Sequence, residues 1–98
     1  KFNKFNMYFI EDVKNNTLTY NVSNNEIVFM DGTTYVYSED SKSIYRDKVK
    51  ICSNITNCVF TKRTDNTTST EKEIINVEIE IAGSTTFEVD NDYVLRYW

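Results

Sequence analysis

The chain has 98 residues and a formal charge of −4, with no proline, no histidine, two glycines, seven tyrosines and six phenylalanines. A chain of that size closes around one core, so a single domain over 1–98 is expected. Without a histidine, a nucleophile motif or a glycine-rich phosphate loop, the composition argues against an enzyme and gives no cofactor a binding motif.

No apolar run approaches the roughly 20 residues of a membrane-crossing helix, so no membrane span is expected and the chain reads as soluble. It starts at Lys1 rather than Met, which suggests a mature or excised product. Glycine and proline are scarce, so Asn and Asp must make most of the turns.

Residues 1–6 read as a polar, subunit-linking tail that carries Phe2 and Phe5. Met7, Tyr8, Phe9 and Ile10 follow, and as a strand they are apolar on both faces and call for cover on both sides. Lys14, Asn15 and Asn16 make a turn. Leu18, Tyr20 and Val22 then alternate with Thr19, Asn21 and Ser23 in a strand with one wet face. Residues 26–30 and 33–38 flank Asp31-Gly32, a pair that tolerates positive φ, and this predicts a tight hairpin. A polar connection covers 39–43.

Cys52 and Cys58 stand symmetrically about five residues, which predicts a second hairpin of 48–52 and 58–62. Its register would set Ile51 against Val59 and Val49 against Thr61, with a disulfide between the cysteines. A thiolate metal site would need further ligands, and there is no histidine to supply them. Residues 63–72 form a polar loop rich in Thr, Ser and Asn.

The clearest strand is 73–82, where Ile75, Val77, Ile79 and Ile81 alternate with Asn76, Glu78 and Glu80. A helix would scatter these β-branched residues around its circumference; a pleat gathers them on one face. After a turn at Gly83-Ser84, Phe87 and Val89 begin the partner strand. Asp90-Asn91-Asp92 reads as another turn, and the last strand, 93–98, is again apolar on both faces. About seven to nine short strands without a helical period predict an all-β fold: one antiparallel β-sandwich, immunoglobulin-like or jelly-roll-like.

Four sequons begin at Asn15, Asn21, Asn54 and Asn66, each on a turn, a loop or a wet strand face. With the cysteine pair they point to an extracellular or cell-surface glycoprotein. Glu78 and Glu80 share a strand face, but a solvated surface explains them more simply than an acid/base pair. The alternating oxygens of Asp90-Asn91-Asp92 lack the glycine and distal glutamate of a calcium loop, so no metal site is assigned.

Lys42, Arg46, Lys48, Lys50, Lys62 and Arg63 make a basic region, whereas Glu71, Glu73, Glu78, Glu80, Glu88, Asp90 and Asp92 make the C-terminal part acidic. The overall negative charge argues against nucleic acid as the partner of the basic region. Its natural complement is the acidic sheet of another copy, in a head-to-tail contact.

These features predict a non-enzymatic, extracellular structural protein, a subunit of a surface filament that associates with itself. Phe2, Phe5, Met7, Tyr8, Phe9, Tyr97 and Trp98 in the terminal strands would form the assembly interface. A second reading is a secreted or virally encoded domain that binds a host protein or glycan through Tyr35, Tyr37 and Tyr45. A third is an intracellular inhibitor from a mobile element.

Overall fold

A computed structural model describes residues 2–16, 18–65, 72–83 and 87–95. Helix α1 (Phe2–Asn15) is followed by β1 (Thr19–Ser23), β2 (Glu26–Phe29), β3 (Thr34–Ser38), β4 (Ser43–Arg46), β5 (Val49–Cys52), β6 (Ile55–Asp65), β7 (Lys72–Ile81) and β8 (Phe87–Leu95). The strands form two antiparallel sheets, ordered β1-β2-β3-β4-β5 and β6-β7-β8. The expected all-β sandwich is present, with a helix added to it.

That helix corrects the reading of the N-terminal segment, since residues 7–10 are not a strand and residues 2–6 are not a loose tail. Phe5, Phe9, Asp12 and Val13 are buried while Lys4, Met7, Ile10, Glu11 and Lys14 are exposed, which is the stripe of a 3.6-residue period. Lys14 in the last turn also suits the negative end of the helix dipole. The run of four apolar residues at 7–10 hides this period, because only Phe9 of the four belongs to the buried stripe.

The helix packs between the sheets. The ring of Phe9 meets Phe29 at 5.7 Å and Tyr35 at 5.0 Å in the five-stranded sheet, Tyr93 at 4.7 Å in the other, and Phe5 at 5.1 Å beside it. Offset and edge-on ring contacts at these distances add to the area that each ring buries.

The strand at 73–82 lies where the alternation puts it. Ile75, Val77 and Ile79 of β7 are buried and Glu78 is exposed. The hairpin around Asp31-Gly32 also forms, pairing Glu26 with Val36 and Ile27 with Tyr35, and Gly32 takes a φ of 93° that favours glycine.

Three registers differ from expectation. In β1 an extra residue, Tyr20, falls between the pairs Thr19–Phe29 and Asn21–Val28; this bulge leaves Tyr20 75% exposed and turns Thr19 to the core. The supposed second hairpin does not exist, because β5 pairs with β4 and β6 pairs with β7. Cys52 and Cys58 therefore sit in different sheets, both buried, and no disulfide joins them.

β8 also runs straight through Asp90-Asn91-Asp92 rather than turning there. The long β7 supplies an unbroken partner, and Asn76 Nδ2 donates to Asp90 Oδ1 at 2.6 Å and to Asp92 Oδ1 at 2.9 Å.

Backbone bonds tie the two sheets along one side. Phe60 N donates to Asn24 O at 2.9 Å and Ile55 N to Lys42 O at 2.9 Å, and the Tyr37 hydroxyl reaches Ile55 O at 2.9 Å. The other side, between β5 and β8, is where α1 lies, touching both strands.

Candidate functional site

The pleat of the three-stranded sheet decides what its outer face carries. Pairing Ile79 with Val89 and Ile75 with Tyr93 turns Glu78, Glu80, Glu88, Asp90 and Asp92 to the other face. Glu78 then lies directly opposite Asp90, and Glu80 directly opposite Glu88. Directly opposed like charges weaken a strand pair, so this arrangement carries a built-in cost.

Little within the described chain relieves it. Glu80 accepts a hydrogen bond from the Thr56 hydroxyl at 2.7 Å, and Asp90 accepts one from Asn76. Asp92 pairs with Arg63 at 2.8 Å, and the Arg63 and Asn76 hydrogen bonds hold its carboxyl below the usual carboxylate range. Among the described residues no ion pair reaches Glu78, Glu80, Glu88 or Asp90. Glu78, Glu80, Glu88 and Asp90 also border a shallow hollow of about 260 Å³. Among the described residues no group of three or more side chains is arranged to hold a metal ion.

Beside this face a groove of about 660 Å³ runs between α1 and β8, lined by Ile10, Val13, Lys14, Asn16, Asp92, Tyr93 and Val94. Asp92, Tyr93 and Val94 are consecutive and point alternately out and in, so the groove follows the backbone edge of β8 rather than either face of it. Ile10 and Val94 are 38% and 37% exposed on its walls.

The helix wall of the groove is fixed by polar contacts. Arg46 donates to Asp12 through Nε at 2.9 Å and Nη2 at 3.1 Å, and the Tyr35 hydroxyl donates to the same carboxylate. The guanidinium also lies 5.0 Å over the Tyr8 ring. Asn16 donates to Asp12 O at 2.9 Å and accepts from Asp31 N at 3.1 Å, and the Tyr93 hydroxyl donates to Asn6 Oδ1 at 2.6 Å. Burial and the hydrogen bond to Asp12 raise the pKa of Tyr35 well above its ordinary value.

The residues singled out from sequence are distributed differently from expectation. Of the assembly set, Phe5 and Phe9 belong to the core, Tyr8 is half-buried and Met7 is 63% exposed; the Phe2 side chain, Tyr97 and Trp98 lie outside the described residues. The basic residues are not one patch. Arg46 is held by Asp12, Lys62 lies 3.8 Å from Glu73 and Arg63 pairs with Asp92, whereas Lys42, Lys48 and Lys50 are exposed on the five-stranded side.

Asn15, Asn21 and Asn54 are all exposed, and Asn66 lies outside the described residues. Tyr35 and Tyr37 are core residues, which leaves Tyr45 half-buried beside an open hollow. Sequence reasoning missed Ile10, Val13, Lys14, Tyr93 and Val94 as one surface, because it depends on α1 standing beside β8. The recurrence of Phe5, Phe9, Asp12 and Val13 is the signal that could have found it.

No described helix is long and apolar enough to cross a membrane. No protein-family model, curated protein or solved structure matches the chain.

Proposed function

We propose that the protein is a non-enzymatic association module whose working surface is the acidic outer face of the three-stranded sheet, and that its partner presents a basic protein surface. The observation that carries this reading is the direct opposition of Glu78 to Asp90 and of Glu80 to Glu88. A partner's lysines or arginines placed between these carboxylates would turn a repulsion into an attraction.

A second copy of the chain is one source of such cations, favoured by the exposed Lys42, Lys48 and Lys50 on the far sheet. Head-to-tail contacts of this kind do not close on themselves and would build the filament expected from the charge pattern. An extracellular setting, occupied sequons and a surface fibre belong to the same proposal. The terminal-strand exchange does not, because Phe5 and Phe9 are occupied within their own subunit.

Zero-length carbodiimide cross-linking of material from the native source tests the reading. Peptide mapping should place cross-links from Glu78, Glu80, Glu88 or Asp90 onto lysines of another polypeptide, and mixed isotope labelling shows whether that polypeptide is a second copy. Intermolecular cross-links that avoid these four carboxylates would sink it.

A further inference from the structure

The sheet edges differ in one respect that bears on partners. The edge strands β1, β5 and β6 each carry an extra residue, Tyr20, Ile51 and Thr56, which breaks their register. β8 keeps unbroken register with β7 from Phe87 to Leu95. Bulges twist the β1 and β5 edges away from further pairing; β6 is regular from Asn57 to Asp65, but the N–H groups of Ile55 and Phe60 on its far side are already taken by Lys42 O and Asn24 O. Among the described residues, no backbone hydrogen bond joins β8 to any element other than β7. Alternate N–H and C=O groups along its far side are therefore offered to whatever occupies the groove.

We propose that this edge of β8 accepts an extended peptide as an added strand, and that the peptide alternates lysine or arginine with apolar residues. The alternation follows from the two faces that an added strand would continue. On one face its side chains would stand beside Glu88, Asp90 and Asp92; on the other they would drop toward Val13 and Tyr93. Backbone bonds supply affinity in this mode and alternate side chains supply selectivity.

A second copy pairing edge to edge through β8 would set the same three carboxylates against their own kind, so a basic strand fits and the chain's own β8 does not. The chain's basic edge strand, β5, is interrupted at Ile51. The inference rests on the acidic face being the working surface and adds the backbone edge and the form of the partner.

The test titrates the labelled full chain with synthetic peptides of about eight residues, the length that a strand of this size can pair with. One alternates lysine with valine, one has the same composition in two blocks, and two are alternating peptides N-methylated along one edge or the other. Strand addition predicts that the alternating peptide binds at least about tenfold more tightly than the blocked one. Methylation should abolish this advantage on one edge only, and amide shifts should fall on 89–94 and on Ile10 and Val13.

Equal binding of the alternating and blocked peptides would overturn strand addition and leave the charge reading standing. No binding of either at low salt would overturn both. A dimer of the protein alone with protected β8 amides would replace the peptide by a second copy and also overturn the proposal.

Discussion

Arg46 closes on Asp12 through two parallel hydrogen bonds, Nε to Oδ2 at 2.9 Å and Nη2 to Oδ1 at 3.1 Å, and Asp12 is only 4% exposed. With the Tyr35 hydroxyl on the same carboxylate, one helix residue is held by β3 and β4 together. Asp12→Ala strands a guanidinium and a phenol at once and should cost about 3 kcal/mol, the lower end for a buried pair because the Arg46 side chain is 30% exposed. Tyr35→Phe removes a single donor and should cost about 1 kcal/mol. Urea unfolding measures both; equal effects would mean that the ion pair adds nothing to the hydroxyl bond.

Removing residues 1–6 takes away Phe5, which is fully buried, and Asn6, which receives the Tyr93 hydroxyl. The truncated chain should lose cooperative thermal unfolding rather than merely lose a binding function. Phe9→Ala should cost about 3–5 kcal/mol, since its ring touches both sheets. A truncated chain with an unchanged melting temperature would contradict the placement of α1.

Alkaline pH should unfold the protein in stages. Burial, and secondarily the nearby Cys52, push the Cys58 thiol from 9.0 up to about 12, so the unfolded chain releases that proton first. Stability is then fully present below pH 9.0 and falls by roughly 1 kcal/mol per pH unit as the pH rises toward 12. Above pH 10.0, Tyr35, Tyr37 and Tyr93 add to the loss, all raised chiefly by burial. Cys58→Ala should move the onset upward by about one unit in urea titrations. Native thiols should likewise resist alkylation near pH 8 and react on unfolding; an intact mass showing neither labelled after unfolding would reveal a disulfide instead.

The hairpin between β4 and β5 turns on Asp47 and Lys48, with φ of 49° and 72°. Both central residues are in the left-handed region that a two-residue hairpin of this hand requires, and neither is glycine. Lys48→Gly should stabilise the fold by about 0.5–1 kcal/mol, and Lys48→Val should destabilise it by about as much or more. Melting temperatures of the pair decide this; a shift in the same direction for both would refute the turn assignment.

Much of the sheet architecture was legible in local pattern. The alternation at 75–81 and the Asp31-Gly32 pair are signals contained within ten residues; the first became a strand as read, and the second a hairpin whose loop also takes in Met30, with Phe29 N bonded to Thr33 O. What failed depends on partners far away in the chain. Asp90-Asn91-Asp92 resembles a turn until Asn76 and the long β7 are beside it, and Cys52 and Cys58 look like hairpin mates until each is claimed by a different neighbour. Tyr20 shows the same limit on a smaller scale, since one bulge exchanges the faces of Thr19 and Tyr20 in a strand whose alternation looked regular, while Asn21 and Val22 keep theirs. The acidic rows were visible as composition, but that they oppose each other residue for residue is a matter of register.

The position of α1 also sets the order of events during synthesis. Phe9 finds Tyr93, and Asn6 finds the Tyr93 hydroxyl, across almost the whole described chain. A nascent polypeptide carries Phe5 and Phe9 out of the ribosome well before β8, and Phe9 must wait for Tyr93 of that strand before its ring is covered from both sheets. Contacts this distant in sequence slow folding and leave the apolar stripe of α1 exposed meanwhile, so a chaperone that recognises short amphipathic segments would find its binding site in that helix.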